Sequence, residues 1–74
     1  MNGEYGEWAV QVRTRVVTAA GASVISEHVR HERGTRSGAE YTVRRRERIT
    51  LRQDNPEAQN LEVTILGMEL EIPE

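Results

Sequence analysis

The residues of this chain that could do chemistry are arginines, two histidines and a scatter of serines and carboxylates. Arginine is densest in "EYTVRRRERITLRQ", residues 40–53, where Arg44, Arg45, Arg46, Arg48 and Arg52 lie among Tyr41, Val43, Ile49 and Leu51. Guanidinium groups at this density, with Tyr5, Trp8 and Tyr41 available for stacking, suit contact with a phosphate backbone. The same run equally describes a solvated face that answers acids elsewhere in the chain. His28 and His31 are the only histidines. On a strand they point to opposite faces, and with Glu27 they still fall short of a convergent zinc ligand set. Ser23, Ser26 and Ser37 lack a base and an orienting acid at a recognisable spacing, and no glycine-rich loop opens a helix to cradle phosphate. The residues therefore point away from an enzyme and assign no catalytic, cofactor-binding or metal-ligating residue.

Composition narrows the classes further. Seventy-four residues make one small domain, 1–74, whose modest core is helped by oligomerisation. Without cysteine there is no disulfide framework and no thiolate metal site. All ten basic residues are Arg, and Lys and Phe are absent. A net charge of -2 gives the whole molecule no field that favours nucleic acid. The charge is unevenly placed. Residues 30–53 hold eight Arg against three Glu, while residues 54–74 hold six acids and no base. A basic block followed by an acidic block suggests two segments lying side by side. No stretch is apolar for long enough to span a membrane, and Met1-Asn2-Gly3-Glu4 lacks the opening of a signal peptide, so a cytoplasmic location is expected.

The elements that must position these residues read as strands. Trp8, Val10, Val12, Thr14 and Val16 alternate with more polar neighbours, the signature of a half-buried strand. Ala20-Gly21 offers a two-residue turn, which sets Val16 opposite Ile25 and Val12 opposite Val29 in a returning strand over 24–33. "GTRSG", Gly34 to Gly38, reads as the next turn, pairing His31 with Tyr41, Val29 with Val43 and Glu27 with Arg45. Residues 40–53 then form a third strand. Asp54-Asn55-Pro56 breaks the pattern, with room for one short helical turn near 56–60. Residues 61–72 form a fourth strand, in which Leu61, Val63 and Ile65 share a face. The apolar set then changes parity to Met68, Leu70 and Ile72, which a bulge at Gly67 would restore to the same face. In this arrangement Arg52 meets Glu62, Arg46 meets Glu69 and Arg44 meets Glu71. Residues 1–6 and 73–74 are expected as loose ends.

The expected fold is all-β: a four-stranded antiparallel meander, as a small sheet or a partly open barrel. Its apolar face has no helix to cover it, so a second copy is expected to do so. Arg45 and Glu47 fall on that apolar face and sit badly there. The function expected is a non-catalytic protein-binding or assembly module that self-associates through this face. The rival is a small barrel-like nucleic-acid-binding protein using the arginine-rich third strand. Arg30, Arg44, Arg46, Arg48 and Arg52 are the residues expected to contact a partner or ligand. No cofactor and no membrane enters either reading.

Overall fold

The computed structural model describes residues 4–74 of the chain. Three strands form one antiparallel sheet: β1 (Tyr5–Val17), β2 (Ser23–Thr35) and β3 (Asn60–Pro73). Their order is β2-β1-β3, so β1 is central and the other two are both edges. One helix, α1 (Arg36–Asp54), lies across one face. The molecule measures 47 × 18 × 16 Å, one sheet long and two layers thick.

The antiparallel sheet agrees with the sequence; the third strand does not. Residues 40–53 lie inside α1, which leaves three strands and one helix. Arg, Glu, Leu and Gln are good helix formers. Ala39, Val43, Glu47 and Leu51 recur every four residues, a spacing that a helix gathers on one side. The apolar series Tyr41, Val43, Ile49, Leu51 fitted a strand only by accepting Arg45 and Glu47 in its middle. "GTRSG" is no hairpin turn. Thr35 caps α1, its Oγ1 accepting from the Gly38 amide at 3.1 Å. Gly34, at φ +146°, lets the chain swing from β2 into that cap. Residues 55–59 form no helical turn; Ala58 N–H donates to the Asn55 carbonyl at 3.2 Å and the chain turns into β3.

The face of β1 that carries Trp8, Val10, Val12, Thr14 and Val16 packs under α1, together with Leu61, Val63, Ile65, Met68 and Leu70 of β3. Ala39 and Val43 press on it from the helix. The Trp8 indole is buried, and its Nε1–H donates to the Gly34 carbonyl at 2.9 Å. The helix thus covers the apolar face for which a second copy was expected. A bulge does keep the two apolar sets of β3 on one side, with Leu66 as its extra residue beside Gly67. A second irregularity at Glu71 turns Ile72 to the far face, where it opposes Glu7.

The first hairpin differs from expectation by one residue, which reverses β2. Five residues, 18–22, make the turn: Thr18 N–H donates to the Ala22 carbonyl at 2.8 Å, and Gly21 takes φ +91°. Val16 therefore opposes Val24, and Val12 opposes His28. A slip of one exchanges the two faces of a strand. His28, Arg30 and Glu32 consequently look toward α1, while Ile25 and Val29 lie on the uncovered face. The compensation is polar, since the helix presents Glu47 and Arg46 to β2 and needs their partners there.

β1 begins at Tyr5 and β3 runs to Pro73, and the Glu74 amide donates to the Tyr5 carbonyl at 2.8 Å. Of the expected loose ends, residues 1–3 lie outside those described; Tyr5, Gly6 and Pro73 belong to the sheet. No helix among the described residues is long and apolar enough to cross a membrane.

A free strand edge beside an arginine stripe

The arginines divide into two sets. Six have carboxylate partners: Arg13 with Glu27, Arg15 with Glu62, Arg30 with Glu47, Arg33 with Glu7 and Glu74, Arg44 with Glu40, and Arg46 with Glu32. The cross-strand pairs expected from the sequence do not form. Arg44 turns one helical turn back to Glu40 at 2.9 Å, Arg46 reaches Glu32 on β2 at 3.1 Å, and Glu62 is taken by Arg15. Glu27 meets Arg13 in place of Arg45, and His31 meets Glu71 at 3.2 Å in place of Tyr41. The hydrogen bond from Arg33 to Glu74, with the attraction between their charges, holds the Arg33 guanidinium above its ordinary pKa.

Arg36, Arg45, Arg48 and Arg52 have no carboxylate partner among the described residues. Arg36 lies over the Trp8 ring, 5.7 Å from its centroid. Arg45, Arg48 and Arg52 line up at i, i+3 and i+7 along the outer side of α1, with Tyr41 and Ile49 on the same stripe. Arg52 spends one N–H on the Ala58 carbonyl at 3.4 Å. A shallow groove of about 620 Å³ runs between this stripe and the start of β3, lined by Arg45, Arg48, Ile49, Arg52, Asn60 and Leu61 among others. Of the five arginines expected to contact a ligand, Arg48 and Arg52 line this groove; Arg30, Arg44 and Arg46 are committed to acids within the fold. Arg45, which the expected strand would turn to the apolar side, lines the groove as well.

Beside the groove lies the outer edge of β3. Both edges of a three-stranded sheet carry unpaired backbone groups, and charged side chains are the common protection. The β2 edge has that protection, in Glu27, His28, Arg30, His31, Glu32 and Arg33. The β3 edge over 60–65 has one charge, Glu62, among Leu61, Val63, Thr64 and Ile65. Arg44 crosses to the Val63 carbonyl at 3.5 Å, the limit of a hydrogen bond.

His28 and His31 do fall on opposite faces of β2. His28 Nε2 lies 2.7 Å from Glu47, whose other carboxylate oxygen accepts from Arg30 at 2.6 Å. Glu47 is 6% exposed. Sequence reasoning missed this cluster, whose signal was the carboxylate that interrupts an apolar series. Among the described residues no three His, Asp or Glu side chains gather as metal ligands. Comparison with protein families, with curated proteins and with solved structures finds no match for the chain.

Proposed function

We propose that this chain is a non-catalytic protein-binding module that takes a partner's extended segment on the free edge of β3. One observation carries the reading: the two edges of the sheet are unlike. β2 carries charged or ionisable side chains from Glu27 to Arg33 and an uncharged start at Ser23–Ser26, whereas β3 offers a nearly uncharged run over 60–65 that lies beside a groove with an apolar floor. Backbone hydrogen bonds to such an edge supply affinity, and neighbouring side chains supply selectivity. Self-association takes a new form in this reading. α1 occupies the apolar face, so a second copy would join edge to edge through β3.

The test is to pan a displayed random-peptide library against the folded chain and map any binder by amide hydrogen exchange. New protection at residues 60–65, with β2 unchanged, supports the module. Recovering no binder, or one that protects the β2 edge, overturns it.

The exposed stripe of Tyr41, Arg45, Arg48 and Arg52 also favours a second reading, contact with nucleic acid from a helix in place of a barrel strand. It leaves the free β3 edge without a use, and it meets a net charge of -2. A binding constant for oligo(dT) that falls steeply with salt is its signature.

A further inference from the structure

The side chains beside the β3 edge bear on the chemistry of the partner, on the premise that the edge takes a strand. We propose that the partner segment is acidic: its residues facing α1 are carboxylates around an apolar one. Three guanidinium groups without carboxylate partners, Arg45, Arg48 and Arg52, border the groove that such a strand would enter. Ile49 is half exposed between them, and Leu61 lines the groove from the β3 side. The spacing fits as well. Arg48 and Arg52, four residues apart on a helix, are offset by about 6 Å along its axis. Successive residues on one face of a strand are about 6.7 Å apart. Two carboxylates at i and i+2 of an added strand that runs alongside the helix would therefore match the two arginines in turn. On the opposite side the added strand passes Glu62, which Arg15 already answers at 3.3 Å, so that side sets no charge preference.

A second copy of the chain fits this groove poorly. Antiparallel pairing of β3 with its own copy has a two-fold axis normal to the sheet. Both helices then lie on the same side, with arginine stripe facing arginine stripe. Glu69 of the copy stays on the other side of the sheet, where its register partner Ala9 lies.

Two labelled peptides test the proposal by fluorescence polarisation. In one, glutamate alternates with threonine around a central leucine; in the other, lysine replaces glutamate. The glutamate peptide is expected to bind about tenfold more tightly, the sum of two exposed charge pairs. The triple substitution Arg45→Glu, Arg48→Glu, Arg52→Glu is expected to invert that preference. These side chains are outside the core, and unchanged Trp8 emission verifies that the variant is folded. Equal binding of both peptides with amide protection at 60–65 overturns the acidic preference and leaves strand addition standing. Failure of both peptides to protect that edge overturns both. Tighter binding of oligo(dT) than of the glutamate peptide, lost on the same triple substitution, assigns the stripe to nucleic acid and overturns the proposal.

Discussion

Glu47 is the residue on which the internal electrostatics turn. Its carboxylate is buried under α1 and is held by His28 and by Arg30, whose side chains keep 29% and 53% of their exposure. The two sides of this cluster are unequal. If Arg30 and His28 are removed, a carboxylate is left in the core without a counter-charge or a hydrogen-bond partner. If Glu47 is removed, the half-exposed Arg30 and the partly exposed His28 can turn toward water. Removing one partner of an ion pair is strongly destabilising where the other charge stays buried, as the Glu47 carboxylate would, and much less so where the remaining group can reach water, as Arg30 and His28 can. Urea unfolding followed by Trp8 fluorescence should therefore show Glu47→Leu within about 1 kcal/mol of the parent. Arg30→Ala combined with His28→Ala should lose on the order of 3 kcal/mol. The opposite ranking would show that the carboxylate anchors the helix. Gly6 gives a second residue-scale expectation. A methyl group there would lie 2.8 Å from the Pro73 Cα and 2.9 Å from Leu70 Cδ1, and it would press on the Ile72 carbonyl. Backbone on a paired strand cannot withdraw as a side chain does. Gly6→Ala should cost about 1–3 kcal/mol in the same titration, and an unchanged midpoint would place the end of β3 elsewhere.

At the scale of elements, the strands were legible and the helix was not. β1 stands out because its β-branched residues alternate cleanly, and the bulge near Gly67 follows from the parity change in β3. α1 hides because its apolar residues satisfy two periods at once, and its buried positions include a carboxylate. On the expected strand Glu47 falls on the apolar face with nothing to answer it; the Arg30 and His28 side chains that make it tolerable come from β2, which meets it only in three dimensions. The reversed face of β2 has the same origin. Ile25 and Val29 favour one register, and the pairs that His28, Arg30 and Glu32 form with α1 favour the other. The arginine run was legible as a candidate site, yet the division into paired and unpaired members depended on knowing the element. An exposed helix with several neighbouring arginines gains little from its own side chains, so its start is expected to depend on the cap. Thr35→Ala should lower stability by about 1 kcal/mol and Thr35→Ser should largely keep it, as read by thermal melts in far-UV circular dichroism. Equal losses from both substitutions would mean that the threonine methyl group, and not the capping oxygen, is what matters there.

At the scale of the whole molecule, the proposed strand addition and self-pairing would compete for the β3 edge, and they are expected to respond to salt with opposite sign. An acidic segment of the proposed kind would be drawn to Arg45, Arg48 and Arg52 across the groove, so its binding should weaken as the screening length falls from about 10 Å at 0.1 M salt to about 3 Å at 1 M. A second copy meets like charge. Pairing β3 with its own copy separates the central strands by three strand spacings, roughly 14 Å. The helices above them then approach to within reach of their long arginine side chains. That repulsion is also screened by salt, and the apolar contact of Leu61, Val63 and Ile65 with their copies is not. Light scattering coupled to size exclusion should therefore find monomer at low salt and a growing share of dimer at high salt. Peptide affinity, measured in the same buffers, should fall. The triple reversal of Arg45, Arg48 and Arg52 to Glu would leave like charges on the stripe and preserve the salt-promoted dimer, while abolishing the acidic-peptide response. A dimer that is strongest at low salt would place Arg–Glu pairs across the interface. In that event the partner for which the stripe is built is the chain itself, seated on a face other than the β3 edge.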